Sequence, residues 1–175
     1  MSSLESLSYP IGRFQPPAEV TEDHLGTWIK SIQTFPERLE KAIGWLTTSQ
    51  LNTPYRPGGW TVRQLVHHIA DSHMNAYIRL KLGLTEEEPA IKPYDQDAWV
   101  ALPDSQLSVE ISLRLIMALH RRWVEALNIV DNWERKVYHP EQQTTLTLAE
   151  LTGQYAWHCE HHLAHIIGLI EREGW

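Results

Sequence analysis

From Thr147 to Gly174 the chain runs without a proline through a stretch that reads as one long helix. Thr147-Leu148-Ala149-Glu150 has the form of a capping box, in which the threonine hydroxyl and the glutamate carboxylate satisfy each other's otherwise orphaned amides. Alternating steps of three and four residues then give Leu148, Leu151, Tyr155, His158, His162, His165 and Leu169 on one stripe. That is the inward seam of a bundle helix, apolar at both ends with histidines in the middle. Such a helix requires facing helices to cover its stripe.

The rest of the chain supplies three. The first runs from about Thr21 to Thr48, with Glu22 and Asp23 where carboxylates suit the helix dipole and with Pro36 expected to bend it or split it. A turn cluster from Pro54 to Gly59 follows. The second helix starts at a further capping box, Thr61-Val62-Arg63-Gln64, and continues to about Leu84. Glu86 to Gln106 reads as a long loop with three prolines, and loops of that length in small domains tend to be lids or site walls. The third helix covers Ser108 to Val130, with the seam Val109, Leu113, Ile116, His120, Trp123, Leu127 and Val130. Between Lys136 and Leu146 the pattern allows a brief extended or hairpin-like piece. With no internal repeat and no linker, residues 1–175 are expected to form one all-α domain, a four-helix bundle with a long loop between helices 2 and 3.

A formal net charge of −7 and the lack of any basic run argue against nucleic acid and anionic membrane as partners. No apolar stretch approaches the roughly 18 residues that span a bilayer. The segment MSSLESLSYPIGRF lacks the apolar core of a secretory signal, and the single Cys159 forms no internal disulfide. A cytoplasmic location is therefore expected.

Ten histidines in 175 residues need individual accounts. Chance alone gives about 0.6 pairs at i,i+4 spacing. The segment His158-Cys159-Glu160-His161-His162-Leu163-Ala164-His165 holds two, 158/162 and 161/165. Buried imidazoles are costly unless their nitrogens find partners, and a metal ion is one such partner. The competing reading is a set of surface or helix-pairing histidines that titrate without consequence. His158 and His162 sit on the seam one turn apart, and His68 on the second helix begins a polar strip with Ser72, Asn75 and Arg79. Together they would offer three nitrogens and leave coordination positions open, the pattern of catalytic zinc. Rotating the last helix would make His161 and His165 the pair instead, and spacing does not separate His68 from His67. His120 reads as a core histidine, and His24, His67, His73 and His139 as ordinary ones. Cys159 reads as a packed thiol.

Two segments, Gly58-Gly59-Trp60-Thr61-Val62-Arg63-Gln64-Leu65-Val66-His67-His68-Ile69-Ala70-Asp71-Ser72-His73 and Tyr155-Ala156-Trp157-His158-Cys159-Glu160-His161-His162, resemble the DinB-like superfamily, and within it the YfiT-type metal-dependent hydrolases. The resemblance extends over nearly the whole chain, through Tyr9-Pro10-Ile11-Gly12, Thr53-Pro54-Tyr55-Arg56, Pro93-Tyr94-Asp95, His120-Arg121-Arg122-Trp123 and Tyr138-His139-Pro140. It implies a four-helix bundle holding one divalent ion per subunit in a homodimer. It matches the ligands to His68, His158 and His162, and favours His68 over His67 because related thiol-dependent isomerases carry a non-histidine where His67 stands. Zinc is the expected ion, with nickel next.

The expected function is metal-dependent hydrolysis of a small molecule, in which an open three-histidine site lowers the pKa of water. The alternative is S-transfer from a low-molecular-weight thiol of the bacillithiol or mycothiol kind, in which the ion favours the thiolate. A non-catalytic metal-binding protein is the reading from another class. Ser72, Asn75, Arg79 and His120 are the expected site lining, with Asp71 nearby. No residue shows itself as a general base, since the chain has no H-E-x-x-H pattern.

Overall fold

A computed structural model describes residues 4–175. In chain order its elements are α1 (Leu4–Ser8), α2 (Glu22–Ile43), α3 (Thr48–Leu51), α4 (Val62–Thr85), α5 (Gln96–Val100), a 3-10 turn (Pro103–Gln106), α6 (Val109–Asn128), β1 (Lys136–His139), β2 (Thr144–Thr147) and α7 (Leu148–Glu173). The four long helices are the expected four, and the only sheet among the described residues is the antiparallel β1–β2 hairpin.

Local chemistry sets the helix ends. Thr61 and Thr147 each accept from the backbone amide three residues on, and Gln64 and Glu150 reach back to the capping amides. α7 stops at Gly174, whose φ of 68° lies in the left-handed region that glycine enters freely. The first helix ends at Ile43, short of the Thr48 that the sequence suggested. Thr47 instead opens a separate turn through its own capping box with Gln50, so two helix starts fall inside one apparent periodic run. Pro36 does not split α2, which continues through it. The long connection is not irregular throughout, because α5 and the 3-10 turn form within it.

Each long helix packs on two others: α2 on α6 and α7, and α4 likewise on α6 and α7. α2 therefore lies diagonally across from α4, although the two follow one another among the long helices. This order departs from a simple up-down-up-down bundle, where consecutive helices are neighbours. Ile32, Phe35, Leu39, Leu65, Ile69, Ile116, Trp123 and Leu127 are buried between the layers. α2 and α7 approach closely where Gly153 faces Trp28: a Cβ there would stand 2.9 Å from the indole ring. Arg38 of α2 also bridges to Glu160 of α7, with Nη1 donating to Oε2 at 2.8 Å. No helix among the described residues is long and apolar enough to cross a membrane.

Candidate metal centre

α4 and α7 face one another along the bundle, and their seams carry His68 on one side and His158 and His162 on the other. A ligand nitrogen from each of the three lies within 4.8 Å of those of the others. The Nε2 atoms of His158 and His162 are 3.0 Å apart. The His68 ring centroid stands 5.5 Å from that of His158 and 5.2 Å from that of His162. His68 and His162 are buried and His158 is half-buried.

All three are held neutral. Burial pushes His68 down to about 4. Burial, and then the neighbouring imidazoles, push His158 and His162 well below the ordinary histidine range. Neutral imidazole is the form that offers a lone pair to a metal. The Nδ1 atoms of His68 and His162 are buried with no hydrogen-bond partner. Leaving buried polar atoms unpaired costs on the order of 1–3 kcal/mol each, and His161 and His165 leave their Nδ1 atoms unpaired in the same way. What fits a cation at His68, His158 and His162 is the convergence of three neutral rings from two helices.

Two clefts meet here. The larger, about 640 Å³, is walled by Ser72, Arg79, Pro93, Tyr94, Tyr155 and His158, among others. The second, about 560 Å³, is walled by His68, His158, His161, His162 and His165 together with the N-terminal segment around Ser8 and Tyr9. His158, Trp157 and Gln96 border both. The loop between α4 and α6 thus forms part of the wall, through Pro93, Tyr94, Asp95 and Gln96 on one side and Asp97 on the other.

The remaining expected lining residues separate. Ser72 places its Oγ 3.4 Å from His158 Nε2. Arg79 donates from Nη1 to the Tyr155 hydroxyl at 2.7 Å and from Nη2 to the Lys92 carbonyl at 2.8 Å, which ties α4 to α7 and to the loop. Asn75 turns its amide back to the Asp71 carbonyl and borders neither cleft. Burial, with the nearby charge of Asp104, raises Asp71 to about 6, but its side chain also lies outside both cleft walls. His120 is fully buried behind the site, with Nε2 2.8 Å from Nδ1 of His73.

The adjacent histidines of α4 have different surroundings. His67 Nδ1 accepts from the Ser112 hydroxyl at 2.7 Å, and its Nε2 donates to the Leu107 carbonyl at 3.1 Å. Both of its nitrogens are satisfied away from the cluster. His161, His162 and His165 form a second group of compatible spacing on one helix. There His165 already donates from Nε2 to the Ser8 carbonyl at 3.2 Å, and the His161 ring stacks on Trp157 at 4.4 Å. Sequence spacing gave no hint of His73, whose Nε2 is 3.2 Å from Nδ1 of His158. A step of five residues from His68 carries no helical-face signal, although a fourth buried histidine beside a proposed ligand pair is itself a cue.

The model of the DinB superfamily matches residues 31–166, which include every residue of the three-histidine cluster. The chain belongs to the DinB superfamily. Among DinB relatives, a Bacillus pumilus protein named "Putative metal-dependent hydrolase" is 49% identical over 174 residues, covering 98% of this chain and 99% of the relative. A Bacillus cereus protein of the same description is 50% identical, covering 98% and 100%. The structure of YfiT from Bacillus subtilis, described as "a probable metal-dependent hydrolase with an unusual four-helix bundle topology", superposes with a TM-score of 0.94 at 48% identity. The match covers 97% of this chain and 99% of YfiT. This chain is a DinB protein of the YfiT type.

Proposed function

We propose that His68, His158 and His162 hold one divalent metal ion, zinc by default and nickel next, and that the protein is a hydrolase of a small molecule admitted through the two clefts. The observation that carries this reading is the convergence of three neutral imidazoles from two facing helices at the junction of those clefts. The names of the relatives support it. When bound, such an ion supplies Lewis acidity: it lowers the pKa of water toward about 7 and polarises a carbonyl oxygen. Three protein ligands leave room for water and substrate, whereas a closed four-ligand set would be structural.

The chain's own groups divide the remaining work. Ser72 Oγ can donate to or accept from a molecule bound beside His158. Arg79 and Tyr155 brace the far wall of the larger cleft, and Tyr94 closes it from the loop. Burial raises Tyr94 to about 12, so its hydroxyl stays a neutral donor at physiological pH.

A second reading is S-transfer from a small thiol. What favours it is that, among the described residues, no carboxylate hydrogen-bonds to the three histidines. Nucleophile activation would then rest on the ion, which suits a nucleophile the substrate brings as thiolate. Cobalt-loaded protein separates the readings. Saturable hydrolysis of esters or amides, lost in the His68→Ala protein, supports the hydrolase. A sulfur-to-cobalt charge-transfer band saturating with a small thiol, without hydrolysis, supports transfer. Cobalt binding with neither response favours a non-catalytic metal protein.

A further inference from the structure

Behind His158 two buried imidazoles and one backbone carbonyl form a continuous chain. His158 Nδ1 is 3.2 Å from His73 Nε2. His73 Nδ1 is 2.8 Å from His120 Nε2. His120 Nδ1 is 2.7 Å from the carbonyl oxygen of Ile32. Either direction of donation fits an isolated imidazole pair, so the far end of the chain decides.

That end is a carbonyl, which can only accept. His120 therefore donates from Nδ1, and as a neutral ring it has only a lone pair at Nε2. His73 must then donate from Nδ1 and accept at Nε2. His158 must donate from Nδ1, which leaves the lone pair of its Nε2 facing His162. Both inner rings are fully buried, and their hydrogen-bond partners are other imidazoles and a carbonyl rather than a carboxylate. A charge on either would be buried unpaired, so each stays neutral. The thiol of Cys159, 3.9 Å from His73 Nε2, is a further weak donor to the same lone pair and does not reverse the direction.

The Ile32 carbonyl is available because of Pro36. In a regular helix the oxygen of residue 32 accepts from the amide of residue 36, and proline has no amide proton. Pro36 sits inside the continuous helix α2, so it leaves that oxygen free for His120.

We infer that Pro36, through the Ile32 carbonyl, His120 and His73, fixes the tautomer of His158 and aims its Nε2 lone pair into the centre. His73 and His120 are thus positioning residues for that ligand. The inference rests on His158 being a metal ligand, as proposed above. Partners behind metal-bound histidines fix ring orientation and tautomer, and their loss typically weakens metal binding 10–100-fold.

The tautomers can be read in metal-free protein by long-range proton–nitrogen NMR of the histidine rings. The expected result is His158 protonated at Nδ1, and His162 at Nε2, since it must donate across their 3.0 Å contact. His158 found protonated at Nε2 would overturn the inference, and this measurement needs no variant. His73→Leu should give mixed His158 tautomers and a 10–100-fold weaker zinc affinity by chelator competition. His73→Gln, whose amide both donates and accepts, should recover most of that loss. Pro36→Ala restores a competing amide for Ile32 and should weaken zinc binding while leaving α2 helical. Unchanged zinc affinity in both folded His73→Leu and Pro36→Ala proteins would also overturn it. If wild-type protein takes up no zinc, the metal reading fails, and the NMR result still judges the hydrogen-bond chain.

Discussion

His158 and His162, one turn apart on α7, bring their Nε2 atoms to within 3.0 Å of each other. Two nitrogens bound at about 2.0–2.1 Å to one tetrahedral ion stand about 3.3 Å apart. The ring positions therefore need to open by only a few tenths of an ångström to share a cation. Helical spacing sets the pair, and packing of α7 against α4 adds His68 from the opposite side.

His67 and His68 should respond differently to loss of the imidazole. His67→Ala removes bonds to Ser112 and Leu107, so unfolding free energy should fall by about 1–3 kcal/mol with zinc stoichiometry unchanged. His68→Ala should abolish tight zinc binding and keep the helical signal in circular dichroism. Denaturant melts with parallel metal analysis check both, and loss of zinc from the His67→Ala protein would contradict the assignment.

Metal-free protein should lose stability in mild acid. His68 and His120 are held near 4, whereas the unfolded chain takes up protons at about 6.5. Between those values the unfolded state binds more protons than the native state, so stability rises with pH. The contribution is complete above about 6.5 and is lost as pH falls toward 4. Asp71, raised to about 6, acts in the opposite sense, but it is only half-buried and is one group against several. Melting temperatures of metal-free protein from pH 4.5 to 7.5 should increase monotonically. Flat or falling values would show that these histidines are not held neutral.

Much of this was legible along the chain because the signals were local or periodic. The capping boxes at Thr61 and Thr147 mark two helix starts to within a residue, and the seams of α6 and α7 carry the side chains that are buried. The break before Thr48 was hidden because Thr47 caps a new turn inside a helix-compatible run. The role of Pro36 was hidden for a different reason. Its consequence, a free carbonyl, matters only because α6 brings His120 against it, and that contact spans 88 residues. His73 reads as ordinary along the chain because only the packing of α4 against α6 and α7 shows what lies beside it.

Two glycines of α7 should diverge on substitution. Gly153→Ala drives a methyl group to 2.9 Å from the rigid Trp28 ring, so it should destabilise by about 1–3 kcal/mol. Gly168→Ala meets nothing closer than the flexible end of Arg172, at 3.4 Å, and should stabilise by up to about 1 kcal/mol through helix propensity. Chemical denaturation of both variants tests the α2–α7 packing that holds His158 and His162 in place.

The ligand set is tested most directly by zinc stoichiometry across five single alanine variants, measured by metal analysis after dialysis against a weak chelator. Wild type should retain one ion per chain. The His68→Ala, His158→Ala and His162→Ala proteins should each retain essentially none, while His161→Ala and His165→Ala should keep theirs. Zinc retained without His68 or His158, or lost without His161 or His165, would contradict the account and move the centre to the second histidine group of α7.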